Sequence, residues 1–353
     1  MNYCDYFSGD YITARRRFLD AASAVNATIH TLPLTSPALD NQNLSIAIAW
    51  LGSSDPSRAL IHSSGLHGVE GFAGSAIQLA LLEQRPSIPS DCAILVVHAL
   101  NPYGMAWLRR VNENNVDLNR NFVTSVKQRT GSSALYRKLN SFLNPKSPPS
   151  ADFFYAKAVY YVLRYGVRHL RQAILMGQYE FPVGLFFGGN RLEMGPSLYQ
   201  SWLAEKLTSL KRGFAIDVHT GLGKSGQESL FLRSDIIRTD VLAERLGREL
   251  ISDVADSGVG YDIRGGYANC FGVLPHGAEM HVITQEFGTY PLVRVMHALR
   301  EENRWHHYGD GTTFYPAKQR LKEIFAPESL EWRDIVVAKG VSFVQAVYKY
   351  IFE

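Results

Sequence analysis

Ala59-Leu60-Ile61-His62-Ser63-Ser64-Gly65-Leu66-His67-Gly68-Val69-Glu70-Gly71 is the stretch from which the fold can be read. Its first four residues read as a short strand, and the serines and Gly65 as a turn. From Glu70 the apolar spacing becomes helical, through Ala73, Ile77, Leu81 and Leu82. A strand passing straight into a helix is the unit of an α/β sheet, and such sheets collect ligands where their strands end. His67 and Glu70 put an imidazole and a carboxylate three positions apart at that place, where both can turn toward one ion. Alone, the pair reads as well as a loop histidine beside a solvated glutamate, so the rest of the chain has to supply the other parts of a site.

The bulk numbers set the frame. At 353 residues, 46% hydrophobic and 20% charged, the chain has the make-up of a soluble globular protein able to bury one large core. Its net charge of +3, spread along the chain, gives no case for nucleic acid or an anionic membrane as partner. Cys4, Cys92 and Cys270 are far apart and form no CxxC pair, which argues against a disulfide framework or a thiolate zinc site and fits a reducing compartment. The N-terminus shows no basic region followed by an apolar run, and no later segment reads as a membrane span. The expectation is a cytoplasmic protein.

Along the chain, Tyr11 to Val25 has helical spacing, with Arg15, Arg16 and Arg17 on a solvated face, and Leu44 to Trp50 alternates as a strand. Cys92 to His98 reads as a buried strand, closed by the turn chemistry of Asn101-Pro102-Tyr103-Gly104. Arg109 to Phe122 is dense in amides and guanidinium groups, a loop costly to order unless it binds something anionic or polar. Between about 128 and 211 lie a proline-broken segment, a long helix from about Ala151 to Leu175 rich in Tyr and Phe, and loops at Gly177–Pro182 and Phe186–Asn190. Phe214 to His219 is a strand ending in histidine, Val241 to Ile251 is helical, and Val282 to Phe287 is a strand carrying Glu286. Pro291 opens a helix that Gly309 follows, and the remainder is mostly helical.

Two familiar routes to chemistry are excluded. Gly223-Lys224-Ser225 invites a phosphate-loop reading, but the glycine required five positions earlier is Val218. No Gly-x-Ser-x-Gly elbow occurs, which removes the commonest serine-hydrolase arrangement. What remains is His67, Glu70 and His219, two imidazoles and a carboxylate at strand ends, the ligand set of catalytic zinc sites that keep a position open. Glu286, within an otherwise apolar strand, is the candidate general base, and Arg110 or Arg109 is available to meet an oxyanion.

The order of these parts resembles the zinc carboxypeptidase (carboxypeptidase A-like) family. The motifs run His67-x-x-Glu70, Asn101-Pro102-x-Gly104, Arg110, Asp117-x-Asn119-Arg120, His219 and Glu286, spanning roughly Ala59 to Tyr290. They are similar also to the family's amidohydrolase relatives, the aspartoacylase and succinylglutamate desuccinylase enzymes. The resemblance implies a single α/β domain over residues 1–353, with a central mixed, largely parallel twisted sheet flanked by helices and a mostly helical insertion at about 128–211. It implies one zinc ion on His67, Glu70 and His219, with Glu286 activating water and passing its proton to the leaving amine. Arg110 would stabilise the oxyanion, Asn119 and Arg120 would hold a substrate carboxylate, Asp117 would fix the tautomer of His67, and Tyr261 would contact substrate, with Tyr267 its rival.

There are departures. The hundred positions between Asn119 and His219 are more than the family uses, and the short Arg110 to Asn119 spacing is closer to the amidohydrolases and leaves Arg109 open as the oxyanion group. Thr220-Gly221-Leu222-Gly223 and Gly177-Gln178-Tyr179 resemble an uncharacterised, mainly bacterial branch. The implied activity is zinc-dependent hydrolysis of a peptide or amide bond next to a free carboxylate, a metallopeptidase chemistry. The alternative on the same fold is an N-acyl amino acid deacylase; a rival from another class is a catalytically idle zinc-containing binding protein.

Overall fold

A computed structural model of the chain describes residues 3–36, 44–123, 125–233, 238–251, 263–310 and 316–353. The strands are β1 Thr28–Pro33, β2 Ser45–Gly52, β3 Arg58–Ser63, β4 Cys92–His98, β5 Arg212–Thr220, β6 Glu228–Leu232 and β7 Glu279–Phe287. They form one seven-stranded sheet in the order β1-β2-β4-β3-β5-β7-β6. The four central strands, β4, β3, β5 and β7, are parallel, whereas β2 pairs antiparallel with β1 and β4, and β6 antiparallel with β7. This is the mixed, largely parallel α/β sheet that the chain order implies.

The helices are α1 Tyr11–Ala24, α2 Gly71–Glu83, α3 Pro102–Ala106, α4 Ala134–Leu143, α5 Phe154–Tyr165, α6 Val167–Leu175, α7 Met194–Lys206, α8 Thr239–Leu246, α9 Leu292–Tyr308, α10 Pro316–Phe325 and α11 Leu330–Phe352. Strand alternation sorts the core into two layers. Ile46, Ile48 and Trp50 of β2 pack toward Tyr199, Trp202 and Leu203 of α7, while Ala47, Ala49 and Leu51 pack toward Phe18 of α1 and Phe343 of α11. Because helices cover both faces, β2 is buried through Leu51 on both sides.

Several local readings are corrected. The span Ala151–Leu175 is not one helix but α5 and α6, broken at Gly166, whose φ of +77° suits glycine. Asn101-Pro102-Tyr103-Gly104 opens the short helix α3, with the Asn101 side chain accepting the Gly104 N–H at 2.8 Å. Helix α8 stops at Leu246 before Gly247, which has a φ of +59°, and Ile251 bridges to Phe231 of β6. Arg17 is not merely solvated, since it donates to the carbonyls of Asp5, Tyr6 and Phe7.

The 109–122 loop needs no anion to order it. Asn115 donates to the carbonyls of Pro182 and Gly184, Asn121 to those of Gly188 and Arg191, and Asn112 to the Glu193 carboxylate, so the loop's amides dock the segment 182–193. One segment overturns the reading that nothing is long and apolar enough for a membrane: α11, of 23 residues, is so by length and composition, with a mean hydropathy of 1.3. Half of that window is buried, and Val336, Val337 and Phe343 are fully so.

Candidate metal centre

The centre is built at the carboxyl edge of three neighbouring parallel strands. In the β3–β5 ladder Ser63 lies opposite Asp217, and in the β5–β7 ladder His219 lies opposite Glu286. Residues two apart on a strand share a face, so Asp217 and His219 point the same way. Four residues beyond the end of β3, His67 caps the 3-10 turn Gly68–Glu70 that runs into α2. The Gly68 and Val69 N–H groups donate to the carbonyls of Arg110 and Arg109, at 3.2 and 2.9 Å. That backbone pairing fixes the Arg110 side chain beside the turn.

A Cβ built on Gly68 would come within 2.1 Å of the Gly104 carbonyl carbon. Two backbones touch here, so the glycine is demanded by space and not by its own dihedral angles.

His67, Glu70 and His219 converge, with one donor atom from each lying within 4.8 Å of the others. His67 Nδ1 is 3.0 Å from Glu70 Oε1 and 3.0 Å from His219 Nδ1, and His219 Nδ1 is 3.2 Å from Glu70 Oε2. Both imidazoles are turned inward by their other nitrogen: His67 Nε2 meets Asp117 Oδ1 at 3.0 Å, and His219 Nε2 meets Asp217 Oδ2 at 2.6 Å. Two imidazole nitrogens face to face beside a carboxylate repel unless a proton or a cation stands between them. Two nitrogen donors and one oxygen, each histidine backed by a carboxylate, fit a zinc-type cation.

The electrostatics follow from burial and neighbours. Burial pushes the Glu70 carboxyl up, but the charges of His67 and Arg110 outweigh it and hold it well below its ordinary range. Burial likewise opposes ionisation of Asp117, yet Arg120, His67 and Arg110 keep it low. Burial opposes protonation of His219, and Asp217 overrides it and raises the imidazole well above its ordinary value. Arg110 donates from Nη1 to Glu70 Oε1 at 2.6 Å and from Nε to Asp117 Oδ2 at 3.2 Å.

Glu286 faces the same cavity. It is 6% exposed, accepts the Leu222 N–H at 2.9 Å, and is raised to about 7 first by burial and then by the charge of Glu70. The cavity measures about 40 Å³, room for only a few waters. Asn119, Arg110 and Arg233 are on its wall, together with Leu175 and Phe186.

Of the residues singled out in the sequence, the structure thus gathers His67, Glu70, His219, Glu286, Arg110 and Asn119 around one cavity, with Asp117 behind. Arg109 points elsewhere, fully buried against Glu302 and Asn115, so Arg110 alone of the two arginines faces the cavity. Arg120 does not join them. Its guanidinium is fully buried, donates to the carbonyls of Leu175 and Asn119, and stands 3.7 Å from Asp117, while Gly177 packs on its aliphatic chain.

Tyr261 lies outside the described residues, and its rival Tyr267 is a core residue whose hydroxyl is 3.2 Å from that of Tyr199. Sequence reading missed Asp217 and Arg233. The first carried a signal, a lone acid in a buried strand two positions before a histidine.

Among solved structures, a “putative metallopeptidase” from Shewanella amazonensis SB2B is 13% identical, with a TM-score of 0.46 over 98% of this chain and 94% of its own. Murein-tripeptide amidase MpaA from Escherichia coli O157 is 17% identical, with a TM-score of 0.39 over 79% of this chain and 92% of its own. An aspartoacylase family protein from Mesorhizobium loti is 13% identical, with a TM-score of 0.38 over 81% and 68% of the two chains. No curated protein sequence matches the chain. The family model described as “Protein of unknown function (DUF2817)” matches residues 7–339, and the chain belongs to that family.

Proposed function

We propose that the protein is a zinc-dependent hydrolase of an amide bond next to a free carboxylate. The observation that carries this is the convergence of His67 Nδ1, Glu70 and His219 Nδ1, each imidazole backed by a carboxylate, on a cavity that also holds Glu286. His67, Glu70 and His219 would hold the metal, and zinc bound there supplies Lewis acidity that acidifies water and polarises a carbonyl.

The rest is done by this chain's own groups. Glu286, buried and raised in pKa, accepts a proton from the attacking water and returns it to the amine nitrogen as the C–N bond breaks. Arg110, at the cavity wall, donates to the carbonyl oxygen as it gains charge. Asp117 and Asp217 hold the imidazoles so that Nδ1 faces inward. Asn119 and Arg233, also on the wall, are placed to meet the substrate carboxylate, while buried Arg120 orients Asp117 from behind.

The size of the cavity favours the deacylase form of this reading over a peptidase acting on long chains. With Leu175 and Phe186 on its wall, the cavity of about 40 Å³ is matched to a compact polar group. The zinc-loaded protein should therefore cleave N-acyl amino acids faster than tetrapeptides in parallel assays. Glu286→Gln should lower kcat/KM by about 10²–10⁴-fold, as loss of a general base does, with one zinc per chain retained in elemental analysis. Wild-type turnover in that variant would overturn the mechanism.

A further inference from the structure

Behind the metal cavity lies a second, larger one of about 310 Å³, built where α4, α5 and α6 of the insertion meet α9. The two cavities share a wall, since Leu175, Leu292 and Met296 line both. Leu175 is fixed there by its backbone, its carbonyl accepting Nε of Arg120 at 3.1 Å. The larger cavity is apolar apart from Arg171 and Arg300, and the Arg300 guanidinium is already engaged by the Phe142 carbonyl and the carboxylates of Asp152 and Glu301. At its outer end Val162 and Val167, 40% and 51% exposed, open it onto the outer face of α5 and α6.

We infer that this cavity is the binding site for the hydrocarbon chain of the substrate, so that the protein acts on N-acyl amino acids bearing a long aliphatic acyl group. The inference rests on the amide-hydrolase reading and names the substrate class of that site. Its physical basis is the mismatch between the two cavities. A substrate seated with its amide beside Glu286 and its carboxylate toward Arg233 has a polar half that fits the small cavity. Its other half meets Leu175, Leu292 and Met296, which line both cavities, and has to part them to reach the carbon-lined space beyond.

A peptide entering that space would bring an N–H and a carbonyl for every residue, and each buried polar group without a partner costs several-fold in affinity or more. An alkyl chain brings none and gains from every methylene it buries. The volume is within the range of small-molecule sites, about 300–1,000 Å³.

The test uses the zinc-loaded full chain and N-acylglycines with acetyl, hexanoyl and decanoyl groups. Binding, by calorimetry with the Glu286→Gln protein, and kcat/KM, with the wild type, should both rise with chain length by up to about fourfold per methylene. Ala158→Trp, which fills the cavity from α5, and Val162→Glu, which places a charge at its half-exposed mouth, should flatten that dependence. Turnover or binding of the acetyl compound should stay within twofold, which also shows that both variants fold.

Turnover that does not vary with chain length overturns the pocket and leaves the hydrolase reading standing. Chain-length-dependent binding that both variants abolish, without turnover of any compound, supports the pocket and overturns the hydrolase reading. Chain-length dependence that survives both variants overturns the pocket.

Discussion

A carboxylate behind each metal-facing imidazole makes the histidine a better ligand by fixing its tautomer and raising its basicity. Asp217 is the sharper case, because its Oδ2 is 2.6 Å from His219 Nε2 while its Oδ1 accepts the Ser63 hydroxyl at 2.8 Å. Asp217→Asn keeps an oxygen for Ser63 and loses the charge behind His219. Zinc affinity should fall about 10–100-fold, measured by competition with a chromophoric chelator. An unchanged affinity would remove Asp217 from the centre. At this scale the sequence was only partly legible. Asp117 came with a recognisable motif, whereas the acid at 217 looked like part of a strand. Arg120 was misplaced because what turns it inward, the Leu175 carbonyl, arrives from 55 positions away along the chain.

Among elements, the contact between the turn 68–70 and α3 decides whether the centre exists. His67 and Glu70 flank Gly68, and the Gly68 backbone lies against Gly104, where a Cβ would sit 2.1 Å from a carbonyl carbon and 2.2 Å from the Met105 nitrogen. Neither neighbour is a side chain that could swing aside. Gly68→Ala must therefore shift either the turn or α3, at a cost at or above the upper end of the ~1–3 kcal/mol usual for overpacking. It should separate His67 from His219 enough to abolish stoichiometric zinc binding in a chain whose far-ultraviolet circular dichroism stays α/β. Normal zinc content would show that the turn relaxes without moving its ligands.

This contact joins the His67–Glu70 and Asn101–Gly104 motifs of the chain. They are two halves of one joint, and their spacing can be read in the sequence. The segment 128–211 is the opposite case. The α5–α6 span was visible as helical spacing, whereas α4 and α7 were not, and the break at Gly166 was hidden inside an unbroken helical pattern. The docking of the 109–122 amides on its carbonyls is a pairing of side chain with distant backbone, which leaves no periodic trace.

At the scale of the whole molecule, the five inner strands β2, β3, β4, β5 and β7 were foreseeable from their apolar runs, whereas the edge strands β1 and β6 were not. What ties the periphery together was not foreseeable either, because it is ionic. Glu302 on α9 accepts from Arg109 Nε and from Lys318 Nζ of α10, both at 2.9 Å, and all three side chains are buried. Burial pushes the Glu302 carboxyl up, but the charges of Arg109 and Lys318 prevail and hold it at about 2, against an ordinary 4.5.

A carboxyl with a depressed pKa in the fold stabilises it above the unfolded pKa and loses that contribution as pH falls through the folded one. The shift is worth roughly 3 kcal/mol at neutral pH. Glu302→Gln removes the charge, leaves Arg109 and Lys318 facing each other unpaired, and should cost about 3–5 kcal/mol at pH 7. As pH drops from about 4.5 toward 2 the unfolded chain binds the proton while the folded carboxyl stays ionised, so the wild type loses this contribution and the gap between the two proteins should close. Urea unfolding of both at pH 7, 5, 4 and 3 measures that gap. A constant difference across the series would mean that Glu302 already holds a proton at neutral pH, and that α9, α10 and the 109–122 loop are joined by packing alone.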